Sequence, residues 1–288
     1  MKILVTGAGG FIGRYLSVAL TERGDVVIPF DIAGAASSAL DVRSLPDVRG
    51  TIAGVDGVVH LAAVSRTSIA EKNPYDTIQI NLLGTTNVLE AARKRPHPPW
   101  IVVASSRAAF EAGTRSLYAL TKDTADRMVD YYSHRFDLAT ICLRLSDVYG
   151  SIAATPGRLV TELVERAERG VPLQIEKGNL PFDFIHYEDV IRGILLAINL
   201  VDRARQLRRP HFHKVSLATG RQICAAELAD IVCRTLESKS RIEVRDRQSR
   251  FPELPLDAGC ALAHEAIGFR SSITLEQGLI KMAKMGVY

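Results

Sequence analysis

The sequence predicts an α/β protein with a doubly wound parallel sheet and a smaller C-terminal cap. Two observations support the sheet. A glycine-rich turn, residues 6–13, follows the apolar run 3–5 and precedes a helix-like segment at 14–20. Strand-like and helix-like segments then alternate as far as about residue 145, which is typical of a parallel sheet covered by helices. A third observation, that the alternation loosens beyond about residue 150, indicates the cap. We therefore expect a Rossmann-type fold.

The spacing of the glycines predicts a dinucleotide site. Gly7 can adopt a turn conformation closed to other residues. Gly10 lets the backbone approach a pyrophosphate at the helix amides, and Gly13 allows close packing of helix and strand. The next strand, 26–30, ends at Asp31, whose carboxylate can accept hydrogen bonds from both adenosine ribose hydroxyls and would repel a 2′-phosphate. This pattern favours NAD over NADP, and over a purely structural turn with a solvated Asp31.

Composition indicates a soluble globular protein with room for one large domain or two unequal ones. The chain has 288 residues, 47% of them hydrophobic and 24% charged, with a net charge of +4. A basic cluster without interleaved aromatic residues favours a solvated loop over a nucleic-acid site; it comprises Arg203, Arg205, Arg208 and Arg209. The cysteines form no CxxC pair and suggest free thiols in a reducing compartment; they are Cys142, Cys224, Cys233 and Cys260.

The N-terminus reads as a core strand, and no apolar run is long enough to span a membrane. We expect a cytoplasmic protein with neither a nucleic-acid nor a membrane partner.

Hydrophobic periodicity places the remaining elements. Strands are expected at 3–5, 26–30, 58–63, 100–104, 138–145, 173–175, 182–186 and 215–217. Helices are expected at 14–20, 75–95, 117–135, 157–170, 187–200, 225–236 and 275–285. We assign residues 1–150 to an NAD-binding domain, with 183–200 returning to it, and residues 151–182 and 201–288 to a smaller substrate-binding domain.

Two residues near the predicted strand ends have alternative interpretations. Asp41 can meet the adenine amino group or serve as a turn residue, and the sequence does not choose between them. His60 is a candidate base, but its apolar neighbours favour a hydrogen-bonded core histidine. The small residues that follow His60 suit a cofactor lying across the sheet edge.

Tyr118 and Lys122 are the candidates for chemistry, because they lie one helical turn apart on one face. A free tyrosine has a pKa of about 10 and is a poor base. A nearby ammonium lowers that pKa towards working pH, and the same ammonium can bind nicotinamide ribose hydroxyls. Ser106, at the end of the preceding strand, can hydrogen-bond the substrate oxygen or the phenolate. Such a pair is usually an ordinary helix face, but the nucleotide fold and the Ser105–Ser106 strand end favour catalysis.

These motifs together resemble those of extended short-chain dehydrogenase/reductases of the nucleotide-sugar epimerase and dehydratase group. The resemblance covers nearly the whole chain. It is carried by segments 6–13, 60–63, 84–87, 105–106, 144–150 and 183–190, with Asn81, Tyr118 and Lys122.

The resemblance implies retained NAD, Tyr118 as base, Lys122 as its electrostatic and ribose partner, and Ser106 as hydrogen-bond donor. It implies a helix kink and an active-site water position at Asn81, the nicotinamide end near Val148, and homodimers formed through helices 75–95 and 117–135. No metal is expected. The full cofactor set is Gly7, Gly10, Phe11, Ile12, Gly13, Asp31, Ile32, Asp41, Val42, Leu61, Ala62, Ala63, Asn81, Ser105, Tyr118, Lys122 and Val148.

The implied reaction is epimerisation by transient oxidation. Tyr118 takes the proton from a sugar hydroxyl, expected at C4, while hydride passes to NAD. The keto-sugar turns over and hydride returns to its other face, so there is no net redox change.

Several positions depart from the family pattern. Arg107-Ala108 follows Ser106 where dehydratases carry an acid pair, so 4,6-dehydration is not expected. Only 11 residues separate Ser106 from Tyr118, and Phe110-Glu111 replaces the usual Tyr-Gly. Asp147 stands where Asn is expected and Phe182 where Arg is expected, and neither binds a diphosphate. The substrate-binding candidates are Arg107, for a carboxylate or phosphate unless it forms only a surface ion pair, and Arg144, Asp147, Arg158, Arg221 and Arg250.

Three functions remain open at this stage. The leading one is an NAD-dependent nucleotide-sugar epimerase. The second is a dehydrogenase or reductase of a sugar or uronate, which needs no diphosphate site and releases its cofactor. The third is a non-catalytic NAD-binding protein, against which Ser106, Tyr118 and Lys122 count, since a sensor needs no base.

Overall fold

The computed structural model describes residues 1–33, 40–110, 116–153, 156–176, 181–207, 212–245 and 259–285. The strands are β1 (Lys2–Thr6), β2 (Val26–Phe30), β3 (Gly57–His60), β4 (Trp100–Ser106), β5 (Thr140–Leu145), β6 (Asp147–Tyr149), β7 (Leu173–Ile175), β8 (Pro181–Phe182), β9 (Phe184–His186), β10 (Phe212–Leu217), β11 (Ile223–Cys224) and β12 (Ile242–Val244). The helices are α1 (Phe11–Glu22), α2 (Leu45–Ile52), α3 (Thr67–Lys72), α4 (Pro74–Ile78), α5 (Gly84–Arg93), α6 (Leu117–Phe136), α7 (Leu159–Glu168), α8 (Tyr187–Gln206), α9 (Ala225–Thr235), α10 (Gly259–Ile267) and α11 (Leu275–Met285). A π-helical turn spans Gln79–Leu83 and a 3₁₀ turn spans Arg107–Phe110.

Six strands form one sheet in the order β10-β5-β4-β3-β1-β2. Neighbouring strands from β2 to β5 are parallel. The chain moves outward from β1 to β2 in one direction and from β3 to β5 in the other, so the strand order reverses between β1 and β3. Ligands of such sheets bind outside the carboxyl ends of the strands at this reversal, which is where the glycine turn lies. The predicted Rossmann-type fold is confirmed.

The central strands are apolar on both faces, as expected for a parallel sheet covered by helices. Ile3, Leu4 and Val5 of β1 are fully buried. Gly57, the first residue of β3, lies against the buried Trp100. A Cβ at residue 57 would lie only 1.9 Å from Cε2 of the indole. Packing of the indole on the sheet therefore requires glycine at this position.

The helix predicted over 75–95 is broken into α4, the π turn and α5. Asn81 lies in the π turn, where its Oδ1 accepts from the Val64 amide at 2.8 Å. Its Nδ2 donates to Val64 O at 3.2 Å and to Thr121 Oγ1 at 3.0 Å. These contacts hold an extra residue in the helical ladder, a common cause of local kinks. The helix is thus interrupted by a π turn at Asn81, where a kink was expected.

The chain divides into two compact units. The first comprises Met1–Leu145, Ile191–Ser216 and Ala263–Phe269, and the second comprises Ser146–Val190, Leu217–Leu262 and Arg270–Tyr288. Two segments thus return to the first unit, 191–216 and 263–269, whereas a return at 183–200 was predicted. The assignment of cofactor binding to one unit and substrate binding to the other stays a prediction.

The described residues of the second unit form three small two-stranded sheets. β6 pairs with β9 and β7 with β12 in parallel, whereas β8 and β11 are antiparallel. The carboxylate of Asp183, which separates β8 from β9, accepts bonds from Thr219 N, Thr219 Oγ1 and Gly220 N at 2.7–2.9 Å. Strands of two or three residues carry little periodicity, which explains why the sequence pattern loosens here.

No helix in the described residues is long and apolar enough to cross a membrane.

Candidate active site

The glycine turn between β1 and α1 is tightly closed. Gly7 has φ +72° and its amide donates to Phe30 O at 2.9 Å. A Cβ on Gly7 would lie 2.7 Å from the amide nitrogen of Ala62, and a Cβ on Gly13 would lie 2.1 Å from Gly7 O. The Gly10 amide donates to the same carbonyl at 3.0 Å. Gly13 is therefore required by the turn itself more than by helix–strand packing, which was the predicted reason.

Asp31 follows β2 beside the glycine turn. Its Oδ2 accepts from the Gly9 amide and its Oδ1 from the Ala33 amide, both at 2.9 Å. The carboxylate thus ties the end of β2 to the turn and provides the negative charge expected next to a ribose. Ile32, also predicted at the cofactor, is largely exposed.

Asp41 has a local partner. Its carboxylate accepts from the Arg43 amide at 2.9 Å and forms an ion pair with the Arg43 guanidinium, whose hydrogen bonds lower the pKa of Asp41. These contacts fit the interpretation of Asp41 as a turn residue, and its contact with the adenine amino group stays a prediction. The neighbouring Val42 is buried, and Asn87 holds this loop by donating to Val42 O and Arg43 O at 2.8 and 3.0 Å.

His60 is part of a buried polar chain. Thr85 Oγ1 donates to Asn81 O at 2.7 Å, so it accepts from His60 Nε2 at 3.1 Å. We accordingly assign Nδ1 as the acceptor of the Thr6 hydroxyl at 2.7 Å. Burial, with a smaller contribution from the Lys122 ammonium, lowers the pKa of His60 to about 3. His60 is a neutral core residue, and that prediction is confirmed.

Lys122 connects α6 to the carboxyl end of β4. Its Nζ donates to Ala104 O at 2.9 Å, and the residue is buried. The next residue, Ser105, is buried, and its hydroxyl has no hydrogen-bond partner among the described residues. Ser106 is half-buried and accepts from the Ala108 amide at 3.2 Å. The structure therefore brings the predicted lysine to the predicted Ser–Ser strand end.

Tyr118 lies one turn before Lys122 on α6 and is half-buried. The helix begins immediately before it, because Ser116 accepts from the Ala119 amide as N-cap at 3.1 Å. Burial lowers the pKa of Lys122 to about 8, and the Asp126 carboxylate opposes that shift. The ammonium form persists below that pH and can stabilise a Tyr118 phenolate.

The substrate-binding candidates fall in different environments. Arg107 lies in the 3₁₀ turn after Ser106, with its Nη2 atom buried. Arg144 on β5 is buried, and its Nε donates to Asp126 Oδ2 at 2.9 Å. A buried ion pair of this kind occupies the guanidinium that was predicted to contact substrate.

The other candidates belong to the second unit. Asp147 Oδ2 accepts from the Asp183 amide at 3.3 Å, and Val148 is the next residue on β6. Arg158 is the N-cap residue of α7. Arg221 is exposed and lies 3.6 Å from both Glu227 and Glu276. Arg250 lies outside the described residues.

The first unit fits a dinucleotide. Its turn has glycine at two positions where a Cβ would meet backbone within 3.0 Å, and a carboxylate lies beside it. The buried lysine lies at the end of β4 in the same sheet. These features place the chain among α/β enzymes that use a dinucleotide cofactor.

The profile of the NAD dependent epimerase/dehydratase family matches residues 3–210, and the chain belongs to that family. It is an extended short-chain dehydrogenase/reductase, and the predicted family, cofactor and enzyme class are confirmed.

Individual relatives agree with this assignment. The chain is 25% identical to UDP-glucuronate 4-epimerase 5 of Arabidopsis thaliana, over 100% of this chain and 76% of the relative. UDP-glucose 4-epimerase of Thermotoga maritima, solved with UDP-glucose, matches with a TM-score of 0.84 at 22% identity, covering 99% of this chain and 98% of that one. UDP-glucuronic acid 4-epimerase of Bacillus cereus, solved with UDP-glucuronic acid and NAD, matches with a TM-score of 0.81 at 19% identity over 100% of both chains. The two structural likenesses show the fold.

Sequence reasoning missed the buried residues that hold the site. Thr6, Thr85 and Thr121 form the hydrogen bonds around His60 and Asn81. Asp126 follows Lys122 by four residues, a spacing that was available as a signal because such residues share a helix face.

Proposed function

We propose that this chain is an NAD-dependent 4-epimerase of a nucleotide-diphosphate sugar, with UDP-glucuronate as the first candidate substrate. The observation that carries the proposal is the buried Lys122, bonded to Ala104 O beside Ser105 and one turn from Tyr118. The curated relative from Arabidopsis thaliana and the Bacillus cereus structure are both named as 4-epimerases of this substrate.

In the proposed mechanism Tyr118 accepts the proton of the C4 hydroxyl as the C–H bond at C4 breaks. The Lys122 ammonium stabilises the phenolate, and the Ser106 hydroxyl donates to the sugar oxygen. Gly7, Gly13 and Asp31 would hold NAD, which when bound takes up hydride from C4 and returns it to the opposite face. Tyr118 then returns the proton, so protons and electrons balance over one turnover.

Arg107 supports a uronate substrate. It directly follows Ser106, and a guanidinium with a buried Nη2 atom interacts strongly with a carboxylate. Oxidation of a uronate at C4 produces a β-keto acid, which can lose CO₂. An epimerase of this substrate must therefore hold the carboxylate, and a cation beside Ser106 suits that task.

Residues of the second unit favour a second candidate function. Phe182 stacks on Phe184 at 5.3 Å between ring centroids, so an aromatic pair stands where a diphosphate-binding cation was expected. Asp147 places a carboxylate where Asn was expected, and a carboxylate does not bind an anionic diphosphate. These residues favour the alternative of a dehydrogenase acting on a free sugar or uronate, which needs no diphosphate site.

The decisive experiment uses the protein as purified. The chain is denatured and any released nicotinamide cofactor identified. Fresh protein is then incubated with UDP-glucuronate, UDP-glucose, and GDP- and dTDP-sugars without added NAD. Released NAD and conversion of UDP-glucuronate to UDP-galacturonate, without net NADH, support the proposal. NADH that accumulates only with added NAD and a free sugar or uronate supports the second candidate, and UDP-pentose formation reveals decarboxylation.

Asp31 provides a test of cofactor choice. Asp31→Ala is expected to weaken NAD binding roughly 10- to 100-fold and to relax discrimination against NADP, because a charged hydrogen-bond acceptor is lost. Calorimetric titration of both cofactors measures this. Asp31→Asn is the control, since its amide oxygen can still accept from Gly9 N while the charge is absent. Unchanged affinity of Asp31→Ala for both cofactors would refute the role.

We also propose a homodimer formed through α4, the π turn and α6. Large apolar side chains are exposed there, namely Tyr75, Ile78, Leu83 and Leu120. Burying such an apolar surface between two subunits stabilises a dimer, and a charged side chain introduced at its centre destabilises it. The wild type is expected to sediment as a dimer and Tyr75→Glu as a monomer. A monomeric wild type, or an unchanged Tyr75→Glu dimer, would count against this interface.

Cytoplasmic residence remains part of the proposal. Cys142, Cys224 and Cys233 are free thiols, which suits a reducing compartment. Cell fractionation tests it, and recovery from an oxidising compartment would refute it.

A further inference from the structure

A cluster of charged side chains, which includes Lys122, is buried between α6 and β5. Lys122 and Asp126 lie one turn apart on α6, and Arg144 lies opposite them on β5. Their exposed fractions are 8%, 0% and 7%. Charges withdrawn from water to this extent are costly unless they compensate one another.

The contacts of Asp126 are uneven. Its Oδ2 accepts from Arg144 Nε at 2.9 Å, whereas its Oδ1 accepts from no nitrogen or oxygen donor among the described residues, and the Cys142 thiol on β5 also interacts with this carboxylate. One carboxylate oxygen is therefore committed to Arg144. The other oxygen carries negative charge in the same buried region as Lys122, because residues four apart on α6 share a helix face.

The other titratable groups around Lys122 supply no comparable anion. His60 on β3 is neutral. Burial raises the pKa of the Cys142 thiol on β5, and this group also raises the pKa of Lys122, with a smaller effect than that of Asp126. The nearby cations are Arg144 on β5 and Lys214 on β10, and both lower the pKa of Cys142. On α6, Tyr118 is the proposed base and Asp123 is the more exposed carboxylate, 3.9 Å from Arg144 Nη2.

We propose that Asp126 is a positioning residue for the reaction, whose buried carboxylate keeps Lys122 in its ammonium form and thereby allows Tyr118 to work as a base. This inference rests on the roles proposed above for Tyr118 and Lys122. Burial favours the neutral amine. Asp126 opposes this effect, in agreement with its upward influence on the pKa of Lys122.

The test measures the titration of Lys122 directly, without substrate. Protein labelled with ¹³C at lysine Cε is titrated by NMR, and Lys122→Arg assigns the signal. Asp126→Asn is expected to lower the midpoint by at least about one pH unit. Asp126→Glu should restore most of it. Asp123→Asn is the matched control on the same helix and should move it far less, since water screens its carboxylate.

The same variants are then assayed for epimerisation. Asp126→Asn should shift the alkaline limb of kcat downward by the same amount, because the ammonium is lost at lower pH. If Asp126→Asn does not fold, Arg144→Gln is used, which releases the Asp126 carboxylate from its ion pair and should move the Lys122 midpoint upward. An unmoved midpoint in the folded variant overturns the inference even if epimerisation is established. A moved midpoint without epimerisation supports the coupling and refutes only the proposed function.

Discussion

Tyr118→Phe is expected to lower the epimerisation rate by roughly 100- to 10,000-fold, the usual contribution of a positioned general base. The phenylalanine ring fills the same space on α6 but can neither accept nor return the C4 proton. NAD should remain bound, because Lys122 still donates to Ala104 O and the glycine turn is untouched. Steady-state assays with UDP-glucuronate, alongside cofactor release on denaturation, measure the two effects separately.

Tyr131→Phe is the matched control. Tyr131 lies on the same helix and is 59% exposed, so loss of its hydroxyl should change neither rate nor cofactor content. A Tyr118→Phe protein that turns over at the wild-type rate would show that another group is the base. Loss of NAD together with activity would instead assign Tyr118 to cofactor binding.

Gly13→Ala is expected to destabilise the first unit by about 1–3 kcal/mol or more and to abolish NAD retention, since overpacking of this size forces backbone movement. The added Cβ would lie 2.1 Å from Gly7 O and 2.8 Å from Ala8 Cα. Both neighbours are backbone atoms of the turn, so no side-chain rotation relieves the overlap. Chemical denaturation and the amount of co-purified NAD measure the effect.

Gly50→Ala is the control for this substitution. Gly50 lies in α2, and a Cβ there meets nothing within 4 Å. Alanine should stabilise that helix by about 0.5–1 kcal/mol, because glycine loses more backbone entropy on folding. If Gly13→Ala matched Gly50→Ala in stability and NAD content, the turn would not require glycine at residue 13.

Local patterns in the sequence were sufficient to predict the sheet and the placement of Tyr118 and Lys122 on one helix face. Short stretches of sequence identify the apolar run of β1, the glycine turn and Asp31. The alternation of strand-like with helix-like segments then predicts the parallel sheet. Tyr118 and Lys122 are four residues apart on α6, so a single helix period relates them.

Contacts between distant segments were decided only by the tertiary structure. The helix expected over 75–95 contains a π turn because Asn81 bonds to Val64 and Thr121, which lie 17 and 40 residues away. Arg144 was expected at substrate, but the pairing of β5 with β4 brings it beneath α6 to Asp126.

Periodicity therefore determined which residues of this chain lie at the carboxyl ends of the strands and on the face of α6 that carries Tyr118 and Lys122. It could not determine which buried polar groups meet across elements. Those pairings depend on strand order and helix docking, which minimise unsatisfied polar groups and uncompensated charge over the whole core rather than along one segment.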